Sequence, residues 1–279
     1  VKLAVLITCF NRREETKTCL DRLFEQELPE HVEMTVFVCD DGSTDGTKEM
    51  IGEYFPEVQV VVGNGKLYWG GGMRMAWKEA RSKADFDFFL WLNDDTLLYE
   101  GALLELWKDY QQVGPKAIIT GACQSAESLE WTFGGSDEEG PIIPKSFPQE
   151  VRYMNGNLVL TPRIVDELLG GIKSVYTHYL GDYDYGLRAK NAGFTCYTSS
   201  RFLASSEIGS FQYWADPALS LFERLRLLYH VKGLAIGEYF YYKSYHYGKW
   251  IGIKTLFHVH LKVFSISLNG FFRRTSLKN

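Results

Sequence analysis

Apolar runs of strand length alternate with amphipathic stretches along the first part of the chain. Leu3–Cys9 (LAVLITC) and Thr35–Cys39 (TVFVC) are almost wholly apolar, as strands buried on both faces are. Between them, Arg12–Gln26 reads as a helix, with Asn11 placed to cap it. A helix over Lys48–Tyr54, a strand over Gln59–Val62, a Gly- and aromatic-rich loop over Gly63–Gly72 and a helix over Met73–Ala84 follow. Phe86–Leu92 (FDFFLWL) is the next buried strand, followed by a helix over Glu100–Val113 and a strand over Ala117–Thr120. This rhythm predicts an α/β fold, a mostly parallel sheet with helices on both faces.

Beyond Gly121 the rhythm breaks. Ser125–Glu150 is rich in Gly, Pro, Ser and acids and reads as loop or short hairpins. Val151–Leu160 is a predicted strand with a small-residue centre at Asn155–Asn157, and Pro162 opens a short helix at its first position. Gly181–Ala192 is helical and stops at Gly193, with strand-like segments on either side of Ser199. Asp216 and Pro217 form an N-cap and N1 pair that starts a mostly helical tail, in which Leu221, Leu225 and Leu228 share one face.

The 279 residues allow one large α/β domain or two small ones. A hydrophobic fraction of 46% excludes global disorder, and a net charge of −5 argues against general nucleic-acid binding. Five cysteines without a C-x-x-C pair predict a reduced, intracellular protein. No apolar run reaches the roughly 18 residues of a membrane-spanning helix. The chain opens directly on a strand and without Met, which predicts no signal peptide and a trimmed start. Charge is uneven: residues 217–279 hold ten Lys and Arg against Glu223 and Glu238, and the rest is acidic.

Candidate chemistry sits where buried strands end. Asn93–Thr96 places Asp94 and Asp95 just past an apolar strand, and open α/β sheets bind ligands outside the carboxyl ends of their strands. Two acids there suit a divalent cation and, through it, phosphate. A cap for the helix near Glu100 accounts for the same residues. Cys39–Asp45 (CDDGSTD) repeats the arrangement: a carboxylate could accept from a pyrimidine N–H or from ribose hydroxyls, or the segment is a turn and cap. The first strand runs into Thr8–Arg12 without G-x-G-x-x-G, and no Walker A sequence is present. A dinucleotide oxidoreductase and a P-loop enzyme are both disfavoured.

TCFNR, CDDGSTDGT, LNDDT and GDYDYGLR occur in the order seen in family 2 glycosyltransferases, so residues 1–215 resemble that family. NGKLYWGGGMRMAW and WLNDDT are similar to bacterial rhamnosyltransferase-type members that build surface polysaccharides. The resemblance implies a GT-A (Rossmann-like) fold and an inverting, metal-dependent transfer from a UDP- or dTDP-linked sugar to a cell-surface glycan or lipid-linked acceptor. Asp40 and Asp41 would hold base and ribose, with Thr8 and Arg12 lining the same pocket. Asp94 would lie near ribose and sugar, and Asp95 would bind Mg²⁺ or Mn²⁺ bridging the diphosphate. Arg74 is either a diphosphate partner or a surface helix Arg. Asp182 matches the general base that takes the acceptor's proton, although Gly181 replaces a Glu the family often has; a helix N-cap is the plainer role. Asp184 and Arg188 can pair at i, i+4 and are structural or acceptor-orienting. Glu207 stands where many relatives have a metal- or diphosphate-binding His; it is a metal ligand or an exposed strand Glu. Trp69 and Gly71 offer a flat ring and approachable backbone to the donor, or form a turn with a core Trp. Asn157 belongs to the small-residue segment under the donor sugar, or to a strand bulge.

The implied organisation is a catalytic domain over 1–215, with a nucleotide-sugar half to about 121 and an acceptor half from about 122. A basic, aromatic helical extension over 216–279 completes it. Basic amphipathic helices with aromatic residues suit a membrane interface, so residues 217–279 would make peripheral membrane contact; packing on the catalytic domain or a homodimer contact serves equally. The expected location is the cytoplasm, on the inner face of the cytoplasmic membrane. Two rivals remain. A sugar nucleotidyltransferase needs a Gly-rich, Arg/Lys-containing loop after the first strand, which Phe10–Arg12 does not supply. A non-catalytic nucleotide-sugar or glycan-binding module could keep the pocket without turnover.

Overall fold

In the first strand, β1 (Lys2–Cys9), Leu3, Val5 and Ile7 face one core, while Ala4 and Leu6 face another. A strand apolar on both faces must lie inside a sheet covered by helices on both sides, and the computed structural model shows this. It describes residues 1–209 and 213–276; residues 210–212 and the last residues of the basic extension, 277–279, lie outside the described residues. Two compact units are present: Val1–Thr177 with Gly181–Ile208, and His178–Leu180 with the residues from Gly209 on.

In the first unit the elements run α1 (Arg13–Phe24), β2 (Glu33–Asp40), α2 (Thr47–Tyr54), β3 (Gln59–Val62), α3 (Tyr68–Lys83), β4 (Phe88–Leu92), β5 (Leu97–Leu98), α4 (Ala102–Val113) and β6 (Ala117–Gln124). Short strands follow: β7 (Trp131–Phe133), β8 (Gly135–Ser136), β9 (Gln149–Val151) and β10 (Tyr153–Met154). Then come β11 (Leu158–Pro162), α5 (Arg163–Leu169), α6 (Gly181–Asn191) and β12 (Thr195–Ser205). The main sheet has the order β3-β2-β1-β4-β11-β6-β12-β5. Strands β1 to β4 pair in parallel, as does β6 with β12. The α/β, mostly parallel expectation therefore holds for the long strands, with β11 inserted antiparallel between β4 and β6 and the short strands β5, β7 and β9 also pairing antiparallel.

That strand matters for the site. Leu158 pairs with Leu92, so β11 begins where β4 ends. The carboxyl ends of β2, β1 and β4, the start of β11 and the end of β12 thus share one sheet edge.

Several local expectations change. Asn11 does not cap α1; it adopts φ +51° and its Oδ1 accepts from the Thr44 N–H at 2.7 Å, tying the β1 loop to the β2 loop. Gly70–Gly72 are helical, not loop, because α3 begins at Tyr68. The Val151–Leu160 stretch is divided among β9, which ends at Val151, β10 and, beyond the break at Asn155–Asn157, β11; β10 joins a different sheet from the other two. The segments flanking Ser199 are one strand, β12, with its register shifted between Thr198 and Phe202. Pro162 is the residue before α5 and not its first position.

The second unit contains α7 (Leu221–Tyr229), α8 (Ile236–Tyr247) and α9 (Lys249–Ser276). Its core gathers Trp214, Leu228, Ile236, Val259 and Val263, with Leu221 and Leu225 packed against it. The tail helix starts later than Asp216–Pro217 suggests. Ser220 Oγ accepts from the Glu223 N–H at 3.2 Å, and the Glu223 carboxylate accepts from the Ser220 N–H at 2.8 Å. This reciprocal box fixes the start of α7, while Asp216 only closes a turn onto the Ala218 N–H.

Candidate active site

Asp94 and Asp95 leave β4 at the shared edge, well before α4 begins, so they do not cap that helix. Asp94 is 6% exposed. Burial pushes its pKa up to about 7 against the attraction of Arg12, and Asp95 adds to the rise. Arg12 Nη1 reaches Asp94 Oδ1 at 3.4 Å and Asp95 Oδ2 at 3.0 Å. Burial opposes the charge on Arg12, but the two acids outweigh it and hold the guanidinium protonated. The other two oxygens, Asp94 Oδ2 and Asp95 Oδ1, are buried and have no hydrogen-bond partner among the described residues. Uncompensated carboxylate oxygens are costly, and hard cations are bound by oxygen ligands of this kind. The pair therefore fits a divalent cation with few protein ligands. Among the described residues, no three His, Cys, Asp or Glu side chains gather as a complete metal cage.

Glu207 is not brought into this group. It is exposed beyond β12, and its Oε1 accepts from the Ala126 N–H at 2.7 Å. The chain there follows the pairing of Ser205 with Gln124, which turns Glu207 toward the 125–130 loop.

Asp40 and Asp41 are both buried. Asp40 Oδ1 accepts from the Ser43 N–H at 2.8 Å. Asp41 is more fully engaged. Its Oδ1 accepts from Asn64 and Gly65 N–H groups at 3.1 and 2.9 Å, and its Oδ2 from Leu67 and Tyr68 at 2.8 and 3.1 Å. It thereby caps the start of α3, where an anion also meets the favourable end of the helix dipole.

The glycines of α3 allow close approach. A Cβ on Gly72 would overlap the Thr8 hydroxyl, so the helix packs directly on the end of β1. A Cβ on Gly70 would lie 2.6 Å from the Tyr176 carbonyl oxygen, and one on Gly71 3.0 Å from Leu67 Cβ. Arg74, one turn on, is half-buried and donates to the carbonyls of Lys173 and Tyr176 at 3.0 and 2.7 Å. It is thus not simply a surface helix Arg; it ties α3 to the segment that leads toward α6.

Trp69 closes the site from the side. Its Nε1 donates to Asn93 Oδ1 at 2.8 Å, and its ring lies 6.0 Å from that of Trp91 in the core. Gly156 sits against the same ring: a Cβ there would be 2.6 Å from Trp69 Cζ2. The Gly156 N–H donates to Asp182 Oδ2 at 2.9 Å, and the Tyr183 N–H to Asp182 Oδ1 at 2.8 Å. Burial raises the Asp182 pKa to about 6, outweighing these two bonds. A carboxylate of that strength can accept a proton near neutral pH.

Asp184 and Arg188 form a buried pair at 2.7 Å. Asp184 also accepts from the Tyr176 hydroxyl at 3.1 Å, and Arg188 donates to the carbonyls of Leu169 and Gly171. The pair braces α6 from below. Asn157 is likewise internal, donating to Ser206 Oγ at 3.1 Å and to Thr96 Oγ1 at 3.4 Å.

Asn93 and Tyr176 join the site beside the expected Gly-rich and Asn155–Asn157 segments. Asn93 is the second residue of the LNDDT motif, which was the available signal; the close approach at Gly156 required the fold.

The sequence profile of glycosyl transferase family 2 matches residues 4–163. The chain belongs to glycosyl transferase family 2. No curated protein matches it by sequence. Solved structures share its fold. A mannosyltransferase from Pyrobaculum calidifontis, in complex with GDP-Man and Mn²⁺, aligns with a TM-score of 0.59 at 16% identity, over 98% of this chain and 75% of that one. S. aureus TarS 1–349 aligns at 0.53 and 15%, over 74% and 60%. GalNAc-T7 with UDP, GalNAc and Mn²⁺ aligns at 0.57 and 13%, over 74% and 43%. This family 2 glycosyltransferase thus has the GT-A fold that its motifs implied.

Proposed function

We propose that this glycosyltransferase inverts the anomeric carbon of a UDP- or dTDP-linked sugar, in a metal-dependent transfer to a cell-surface glycan or its lipid-linked precursor. The observation that carries this reading is the convergence at one sheet edge of two acids with unpartnered oxygens and a separate acid, Asp182, held ready beside Gly156. Residues to about 121 serve the donor and those from about 122 the acceptor, in the cytoplasm.

In the transfer, the acceptor hydroxyl oxygen bonds to the anomeric carbon while its proton passes to Asp182. The bond from that carbon to the diphosphate breaks, and its electron pair leaves with the nucleoside diphosphate. Asp95 would hold Mg²⁺ or Mn²⁺, whose charge offsets that gathering on the leaving group. Asp94 lies beside it toward ribose and sugar, and Arg12 supplies a fixed positive charge to the same region. Thr8 and Asp40 border the nucleotide pocket at the ends of β1 and β2. Asp41, Gly71 and Arg74 shape it through α3. Trp69 presents its ring to the donor close to Asp182, and Asn157 fixes the turn beneath the donor sugar. Asp184 and Arg188 orient the helix that carries Asp182.

A panel of nucleotide-sugars, assayed for hydrolysis and transfer with and without divalent cation, tests the reading. Cation-dependent turnover of one UDP- or dTDP-sugar is expected. Saturable binding of a nucleotide-sugar without turnover of any would favour the binding-module alternative.

A further inference from the structure

Helix α9 carries apolar residues on two faces, and folding accounts for only one. Leu256, Val259, Val263 and Ile266 pack into the core of the helical unit. Trp250, Ile253, Phe257, Leu261 and Phe264 recur at the three- and four-residue steps that align on one side of a helix. They are 76%, 47%, 66%, 49% and 48% exposed. A stripe of this length, carrying a Trp and two Phe, is larger than scattered surface apolar residues explain.

The charge beside the stripe selects the partner. Helix α9 contains no Asp or Glu. Lys249 flanks the stripe on one side and Lys254 on the other, both exposed. Residues 217–279 as a whole carry ten Lys and Arg against two Glu. A second copy of the helix would set this basic face against itself, with no carboxylate on α9 to answer it. Anionic headgroups supply the missing charge and acyl chains cover the stripe. No helix among the described residues is long and apolar enough to cross a membrane, and the arrangement is that of a helix lying in the interface plane.

We infer that α9 docks on an anionic lipid surface through Trp250, Ile253, Phe257, Leu261 and Phe264, with Lys249 and Lys254 contacting headgroups. This goes beyond the transfer reading and stands on the helical unit alone.

The test is co-sedimentation of the full chain with vesicles of phosphatidylcholine containing phosphatidylglycerol, against phosphatidylcholine alone. Binding to the anionic vesicles that weakens with salt is expected. Phe257→Ser with Leu261→Ser should lower partitioning by about tenfold or more, and Lys249→Glu with Lys254→Glu should lower it by about thirtyfold or more at low salt. Nucleotide-sugar hydrolysis in solution, measured on the same preparations, should be unchanged, which separates failure of docking from failure of the transfer reading and reports that the variants fold. The inference is overturned if the unaltered chain stays in the supernatant, or if the stripe variant binds as well as the parent. It is equally overturned if light scattering finds a dimer that the stripe variant dissociates while vesicles bind neither.

Discussion

Asp40–Asp41 and Asp94–Asp95 look alike in the sequence, each an acid pair where a buried parallel strand ends. The fold gives them opposite surroundings. Both oxygens of Asp41 are occupied by backbone N–H groups, four in all. Asp94 and Asp95 each keep one buried oxygen that no group among the described residues answers. The first pair is therefore scaffold: Asp41 holds the start of α3 and Asp40 the turn at Ser43. The second is the pair we propose to hold the cation. What distinguishes them is not residue type or strand position but which neighbour answers each lone pair.

The largest effects should fall on turnover, on the side of the second pair. Asp95→Asn is expected to lower transfer on the order of 1,000-fold by weakening the cation site, and to abolish cation-dependent nucleotide binding. Asp182→Asn should lower kcat by a similar factor while nucleotide binding, followed by calorimetry, stays intact. Full activity in Asp182→Asn would remove it as the base.

The scaffold side should fail differently. Asp41→Ala strips the acceptor from four backbone N–H groups, and is expected to cost roughly 3 kcal/mol of stability. Asp40→Ala loses one such bond, to Ser43, and should cost about 1 kcal/mol. Denaturant titration reads both. If Asp41→Ala were as stable as the parent but unable to bind nucleotide, the contrast would collapse and Asp41 would be a pure donor contact.

The contrast also marks how far the sequence could be read. The strands of the parallel half were legible because residues such as Val5 and Leu6 are apolar regardless of face, and their ends carried the motifs. The helical start at Tyr68 was not: three successive glycines read as loop, since the reason for them is contact with Thr8 and Tyr176, residues remote in sequence. The same holds at Asn155–Asn157, where a turn facing Trp69 and Asp182 resembles the middle of a strand. Glu207 was placed by analogy with a family position, and the backbone there turns it to Ala126 instead. Local propensity located the acids; only tertiary contacts could say which were already satisfied.

Asp182 offers the gentlest way to sharpen the comparison, because its two bonds leave it between the extremes. Burial raises its pKa from 3.8 to about 6. The carboxylate is the form that accepts a proton, so kcat/KM, which reports the free enzyme, should be half-maximal near pH 6 and fall about tenfold for each further unit of acidification. Stability should run the other way. A carboxyl whose folded pKa lies above its unfolded value stabilises the fold below the unfolded pKa, and that contribution is lost as pH rises through the folded value. Between pH 3.8 and about 6 this group alone should lower Tm while raising activity. Asp182→Asn isolates its share: the variant's Tm should decline less across that window than the parent's. Parallel declines in the two proteins, with no acid limb near 6 in the parent's rate, would mean that Asp182 titrates in the ordinary carboxylate range and that its enclosure by Trp69 and Gly156 does not tune it for proton transfer.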